Sequence, residues 1–259
     1  MQETLEFGEL LRLMDERATA FQAAVAAASS LDVRVPTCPE WTLFDLVQHL
    51  VEGRYRWAAT VAAGPADAPA VVSAPVAPRE REGMLNWFAA SVRELLDALR
   101  EAGPDRGCWT WWGPSQSPQT SGAVARHQLQ QLAVHTYDAQ VAVGAPQPLS
   151  SEVALDGVDE FLTTCCATTA PWPHKPAVVD YHATEGHSWR VWLSADGARA
   201  ARLPRDAAAS ESPETADVTA WGTANELVMF FYGRIPTESL RVEGGRGIFD
   251  QLFAWDPGV

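Results

Sequence analysis

One stretch decides how the first half of the chain folds: Pro36-Thr37-Cys38-Pro39-Glu40-Trp41-Thr42-Leu43-Phe44-Asp45-Leu46-Val47-Gln48-His49-Leu50. Each proline fixes its own φ and disfavours the α conformation of the residue before it, so a helix cannot begin before Pro39. Thr42 is then the natural N-cap, and Asp45 three residues later completes an approximate capping box. This start is well defined, and it sets the direction in which His49 points from the helix.

Working outward from this stretch, we predict three more long helices in the N-terminal half. The apolar spacing places the four helices at about residues 4–30, 42–63, 82–102 and 122–143. A proline-rich segment at 64–78 is predicted to cross the surface without helix, and Gly103-Pro104 ends the third helix. Four helices connected in this way predict an antiparallel four-helix bundle.

The pattern changes after a shorter fifth helix, predicted at about residues 152–164. Strands are predicted at 178–183, 188–193, 217–221 and 240–242, and helices at 227–232 and 248–253. Thr223 and Glu226 form a capping box before the first of these helices. The predicted fold class is therefore α+β, with a helical bundle in residues 1–147 and a smaller α+β domain in residues 148–259.

The composition excludes several classes of function. A length of 259 residues suits two domains, and 47% hydrophobic with 20% charged residues is typical of globular proteins. A formal charge of −14 disfavours binding to nucleic acid or to anionic membranes. The sequence has no apolar run of about 20 residues and no secretory signal, so we predict a cytoplasmic protein. The four cysteines lack CxxC spacing, which argues against a zinc knuckle or a disulfide framework.

The fourth helix carries a polar stripe that is the best candidate for chemistry. Helical spacing puts six residues on this stripe: Val124, His127, Gln131, His135, Asp138 and Ala142. If the stripe faces the bundle interior, Gln131 and His135 converge with His49, as in metal sites built from facing helices. Asp138 is then either an anchor for a metal ligand or a hydrogen-bond partner within the bundle.

A structural role for these histidines is the alternative, because a histidine on a helix is more often a hydrogen-bonding residue than a ligand. His127 and His135 lie two helical turns apart, about 12 Å, and cannot bind the same ion. Spacing alone therefore leaves both interpretations open.

Several segments resemble one known family. Residues 35–42, 45–46, 49–50 and 133–139 resemble the mycothiol-dependent maleylpyruvate isomerase family, and residues 222–236 and 240–244 look like its C-terminal region. The resemblance implies a DinB-like N-terminal bundle and a C-terminal domain similar to sterol carrier proteins. It also implies a divalent metal, usually zinc, held by His, Glu and His, with the thiol cofactor mycothiol as a further ligand.

Carried over by position, the resemblance makes His49 and His135 the two metal-binding histidines. The family glutamate falls on Gln131. Glutamine removes a negative charge and leaves a weaker carbonyl donor for zinc, so this position decides how tightly a metal is held.

Other residues are further candidates, the two arginines through the same resemblance and the rest from their place in the sequence. Arg126 and Arg234 resemble family arginines and are predicted to hold a substrate carboxylate in the cleft between the domains, although Arg234 also suits a helix-capping role. Trp111 and Trp112 are predicted to line this cleft and contact the thiol cofactor, the alternative being a lid over the bundle end. Cys38 is predicted to be buried and inert.

Three functional hypotheses follow. The first is a thiol-dependent isomerase or S-transferase acting on a small electrophilic, acidic metabolite. The second is a family member that has lost the metal and uses His49, His135 and Asp138 as acid/base or hydrogen-bonding groups, with Gln131 hydrogen-bonded to a histidine. The third is a non-catalytic binding or regulatory module.

Overall fold

A computed structural model describes residues 5–204 and 215–255 of the chain. The described residues fall into two units, which lie within 1–110 with 119–148 and within 111–118 with 149–259. Among the helices of the described residues, none has the length and apolar character needed to cross a bilayer.

The first unit is built from four long helices that pack on one another. They are α1 (Phe7–Ala27), α2 (Leu43–Ala63), α3 (Arg81–Ala102) and α4 (Ser121–Ala142). The core between them contains fully buried apolar side chains such as Leu13, Leu46 and Leu95, and the rings of Phe21 and Phe88 stack with centroids 4.7 Å apart. The helical part of the predicted fold is confirmed.

The start of α2 follows from local hydrogen bonds. The Thr42 backbone N–H donates to Asp45 Oδ2 at 2.8 Å, and the Asp45 N–H donates to Thr42 Oγ1 at 3.3 Å, which is the predicted capping box. The extended residues before it form a feature that we did not predict, a two-stranded antiparallel ribbon of β1 (Arg34–Val35) and β2 (Cys38–Thr42). This ribbon holds the turn between the two prolines against the start of α2.

The segment from 64 to 80 contains no helix or strand, as predicted, and exposes Val71 and Val76 almost completely. It begins at Gly64, whose φ of 77° lies in the region that glycine adopts without strain. The helix α2 therefore ends where the sequence supplies a residue that tolerates a positive φ.

The second unit is a mixed sheet with helices. Its elements are α5 (Ser151–Glu160), a π-helical turn (Phe161–Cys166), β3 (Ala177–Ala183), β4 (His187–Ser194), β5 (Gly197–Leu203), β6 (Val218–Gly222), α6 (Ala224–Phe231), a 3₁₀ turn (Thr237–Ser239), β7 (Arg241–Gly244) and α7 (Gly247–Ala254). The strand order is β5-β4-β3-β6-β7, with β3 parallel to β6 and the other pairs antiparallel. The predicted α+β class is confirmed, although strand β5 was not predicted.

The two faces of this sheet differ because side chains alternate along a strand. Tyr181 of β3 packs edge-on against Phe231 of α6 at 4.9 Å, so its face is covered by helices. On the opposite face Arg190 donates to both carboxylate oxygens of Asp180 at 2.7 Å, across directly paired positions of β4 and β3. A buried bidentate pair of this kind fixes the register of the hairpin.

Candidate metal centre

The central feature of the first unit is the approach of two histidines from different helices. His49 of α2 and His135 of α4 have ring centroids 5.3 Å apart, with ring planes at 77°. The predicted convergence of these two residues is therefore present. Their capacity to bind a metal depends on the groups around them.

A buried hydrogen-bond network orients His135. Its Nδ1 lies 2.8 Å from Asp138 Oδ2, one helical turn along α4, and Asp138 is completely buried. The other carboxylate oxygen accepts a hydrogen bond from Thr37 Oγ1 at 2.6 Å. Because a carboxylate only accepts, Nδ1 carries the hydrogen, and in the neutral ring the lone pair is on Nε2.

Trp41 packs beside both histidines. Its ring centroid lies 4.7 Å from that of His49 and 6.2 Å from that of His135. Trp41 directly precedes the N-cap of α2, so the turn before the helix also positions the indole ring beside the two histidines. An indole against the imidazoles restricts their rotation and removes water from one side of them.

These surroundings keep His49 neutral. They lower its pKa from 6.5 to about 4, chiefly because the ring is removed from water, and then because a proton on His49 would be repelled by a protonated His135 and by the guanidinium of Arg54. Glu52 acts in the opposite direction. His49 is also partly exposed, and the water there opposes the shift. Because its pKa is lowered below 6.5, His49 is mostly uncharged at pH 7.

The lowered pKa of His49 predicts a loss of stability in acid. Between pH 6.5 and about 4 the unfolded chain binds a proton at this residue that the folded chain does not, so stability falls as the pH decreases through this window. We expect His49→Gln to reduce the difference in free energy of unfolding between pH 7 and pH 4.5. Urea denaturation of both proteins at the two pH values measures it.

The matched control is His174→Gln, which removes an exposed histidine of the second unit. This variant is expected to keep the pH dependence of the parent protein. An equal pH dependence in His49→Gln and the parent would contradict the effect assigned to His49.

Gln131 lies one turn before His135 on α4 and is half-buried. Within the described part of the chain, its side-chain amide makes no hydrogen bond to His49 or His135. The hydrogen bond that the metal-free hypothesis predicts is thus not formed. The amide oxygen is a possible ligand atom for a metal, but it brings no charge to the site.

The two histidines fit a divalent metal as ligands, and Gln131 on the preceding turn of α4 is a weaker candidate. Two imidazoles that bind one zinc tetrahedrally, with Zn–N bonds of about 2.0–2.1 Å, have ring centres roughly 5 Å apart. The observed 5.3 Å separation agrees with this arrangement. A neutral His49 and an Nε2 lone pair on His135 are also what a metal requires. The missing carboxylate lowers the expected affinity without excluding the ion.

The other predicted site residues lie in different surroundings. His127 of α4 faces Trp57, with ring centroids 6.5 Å apart, and is separate from the histidine pair. Arg126 is half-buried on the same helix. In the second unit Arg234 donates from Nη1 to the Tyr232 carbonyl at 2.6 Å, directly after α6, which is the helix-capping contact we considered.

The two tryptophans belong to the second unit. Trp112 is buried and donates from Nε1 to the Pro118 carbonyl at 3.1 Å, and the half-buried Trp111 packs edge-on against it. Their role with the thiol cofactor stays a prediction, as do the roles of Arg126 and Arg234.

Sequence reasoning did not assign Thr37, Trp41 or Arg54 to the site, and it predicted Cys38 to be buried and inert. Cys38 is half-buried, and its Sγ lies 3.8 Å from Asp138 Oδ2, so it joins the network instead of being fully buried. The sequence signal that could have identified Thr37 and Cys38 is their position as a polar pair between two prolines, next to a helix that carries a histidine. Arg54 gave no signal, although it is buried, donates to the Leu50 carbonyl at 2.8 Å, and lies over the Phe88 ring.

The fold and the histidine pair define an α+β protein with a candidate metal centre in its helical bundle. Residues 11–140 match the mycothiol maleylpyruvate isomerase N-terminal domain, and residues 152–251 match the C-terminal domain of the same proteins. The chain therefore belongs to the mycothiol-dependent maleylpyruvate isomerase family. No curated protein matches it in sequence.

Two solved structures are similar to the chain over most of its length. They are crystal structures of the mycothiol-dependent maleylpyruvate isomerase and of a mutant in which one histidine is replaced by alanine. The TM-scores are 0.62 and 0.61, with 14% identity, covering 92% of this chain and 93% of the other. At this identity the likeness establishes the fold and leaves the reaction open.

Proposed function

We propose that this family member is a thiol-dependent metalloenzyme, an isomerase or S-transferase that acts on a small electrophilic, acidic metabolite. The thiol in this proposal is mycothiol. The observation that carries the proposal is the His49–His135 pair, whose ring centroids lie 5.3 Å apart and in which Asp138 holds Nδ1 of His135.

In this proposal His49 and His135 are the main ligands of zinc or a similar divalent metal, and the Gln131 carbonyl is the third. When bound, such an ion lowers the pKa of a thiol, so that the thiolate is formed near neutral pH and attacks an electrophilic carbon. With three neutral protein ligands, the thiolate would be the only anionic ligand at the ion. Metal and thiol are therefore expected to bind more tightly together than either does alone.

The chain's own residues orient and shield this centre. Asp138 accepts from His135 and from Thr37, which keeps the imidazole in one tautomer and one orientation. Trp41 covers one side of both rings and limits the access of water. Without these supports the two imidazoles would be free to rotate away from a common ion.

We also propose roles for residues outside the histidine pair. Arg126 and Arg234 are candidates for the carboxylate of the substrate, because a guanidinium pairs with a carboxylate through two hydrogen bonds. Trp111 and Trp112 are candidates for contact with the thiol cofactor. Arginine-to-methionine and tryptophan-to-leucine variants test each residue by the rise in KM for substrate or thiol.

The metal content of the purified protein tests the proposal. Protein prepared without chelators is expected to hold about one zinc-class ion per chain, and His49→Ala is expected to weaken binding at least 100-fold, since even residues that only support a ligand are worth about 10- to 100-fold. Elemental analysis and competition with a metal indicator measure the two quantities.

His174→Ala is the control, because it removes an exposed histidine from the second unit. Thiol-dependent turnover of an electrophilic acid should disappear with the metal in His49→Ala and persist in the control. Metal-free protein with no thiol-dependent turnover would overturn the proposal.

The second candidate function is a metal-free family member that binds or transforms a small molecule with His49, His135 and Asp138. One observation favours it: Gln131 supplies no charge where the resemblance places a glutamate. Activity that needs His135 but is unchanged by a chelator would support this candidate over the first.

A further inference from the structure

The second unit contains a cavity of about 210 Å³ that the proposed metal chemistry does not use. It lies among the π-helical turn, β3, α6 and α7. Seven of its eleven lining residues are aromatic, and no lining residue in the described part of the chain carries a charge. Its chemistry is therefore unlike that of a site for an acidic metabolite.

The aromatic walls are held by one another and do not fill the space. Phe161 stacks on Phe231 at 4.9 Å, and Phe231 meets Tyr181 edge-on at 4.9 Å. On the other side Phe230 packs edge-on against Phe249 at 5.2 Å. Rings fixed by such contacts cannot rotate inward without losing them, so the cavity persists as a shaped space.

The few polar groups at the cavity are neutral. Burial raises the pKa of Cys166 to about 12, and it raises the pKa of Cys165 and of Tyr181 above their ordinary values. These groups stay protonated at pH 7 and offer weak thiol donors and one hydroxyl. An anion would find no cation here and would lose its hydration.

Both thiols keep accessible surface although protein atoms surround them closely. That combination is typical of side chains lining an internal space. Phe253 is 54% exposed and also lines the cavity, so it marks the side that opens to solvent. A small molecule can therefore enter along α7.

We propose that this cavity binds a neutral, planar aromatic molecule of one or two fused rings. An apolar cavity of about 150 Å³ accommodates benzene, so 210 Å³ leaves room for a bicyclic ring system such as indole. Aromatic walls favour an aromatic occupant over an alkyl chain, because its faces and edges complement theirs. The weak donors suit one small polar group on the ring.

Indole and indole-3-carboxylate are the matched probes, since they share a ring system and differ by one charge. Indole is expected to raise the thermal unfolding midpoint of the full chain in a saturable way, as a ligand of the folded state does. The carboxylate is expected to give no shift at the same concentrations. Equal shifts from both probes, or no shift from indole, would overturn the proposal.

Two substitutions of Cys166, one larger and one smaller, test whether the thermal shift caused by indole arises from binding in the cavity. Cys166→Met extends a neutral side chain into the space and is expected to abolish the indole shift, whereas Cys166→Ala enlarges the space and is expected to retain it. Leu252→Phe, from the half-exposed α7, is the second blocking variant if Cys166→Met does not fold. An unchanged indole shift in a folded blocking variant would contradict the assignment.

A crystal soaked with iodobenzene gives an independent readout. Anomalous density for iodine within the cavity supports the proposal, and density confined to other places contradicts it. None of these measurements involves metal or mycothiol, so they test the cavity separately from the proposed function.

Discussion

Replacing Gln131 by glutamate is expected to raise the affinity of the protein for zinc about 100-fold. This factor is the upper end of the range by which residues that support a metal ligand change metal affinity. The residue lies one turn before His135, on the same face of α4, and its amide makes no competing hydrogen bond to either histidine. A carboxylate there adds an anionic oxygen ligand to two imidazoles. The His₂Glu set that results is one that zinc commonly uses in enzymes.

Competition with a metal indicator at pH 7 measures this change. Gln140→Glu is the matched control, because Gln140 is half-buried on the same helix, about one and a half turns beyond His135 and on the other side of the helix, and the change adds the same charge. The control should leave zinc affinity within about 2-fold, since a charge that faces away from the ion is weakened by water and salt. Equal gains in zinc affinity in the two variants would show that the added charge alone causes the gain. This outcome would contradict the assignment of Gln131 as a ligand.

The same variant separates the two candidate functions. If Gln131→Glu raises both metal affinity and thiol-dependent turnover, the parent protein is a weakened thiol-dependent metalloenzyme. If affinity rises without such turnover, the metal-free candidate gains support.

Replacing Asp138 by alanine is expected to lower the free energy of unfolding by about 3 kcal/mol, because it removes one partner from a fully buried pair. The carboxylate accepts from His135 at 2.8 Å and from Thr37 at 2.6 Å, and the change leaves both donors without their acceptor. Metal affinity should also fall by about 10- to 100-fold, since the imidazole of His135 is no longer oriented.

Urea denaturation and metal competition measure these two effects. Asp45→Ala is the control, because Asp45 also accepts two hydrogen bonds, from the side chain and the backbone N–H of Thr42, but at a half-buried helix start, where the loss is about 1 kcal/mol. Asp138→Asn should restore part of the stability and part of the metal affinity, since one neutral amide oxygen replaces the two charged oxygens that accept from His135 and Thr37. Unchanged metal affinity in a folded Asp138→Ala would contradict the orienting role.

The long helices and their ends followed from local signals. Thr42 with Asp45, and Thr223 with Glu226, are capping boxes that depend on residues three apart, so they are readable without any tertiary contact. Strand β5 escaped prediction because Gly197–Leu203 contains three alanines and two arginines, a composition with little strand character. It exists because β4 supplies an antiparallel partner on that side.

The sequence by itself determined the four-helix bundle, the α+β domain after it, and the two helices that carry His49 and His135. Only the tertiary structure decided what surrounds them. Thr37 and Asp138 are separated by 101 positions, and Trp41 reaches His135 across the bundle. The aromatic cavity likewise combines residues from the π-helical turn to α7. Helix ends depend on short-range hydrogen bonds, whereas these sites depend on which distant surfaces pack together, and no local pattern specifies that choice.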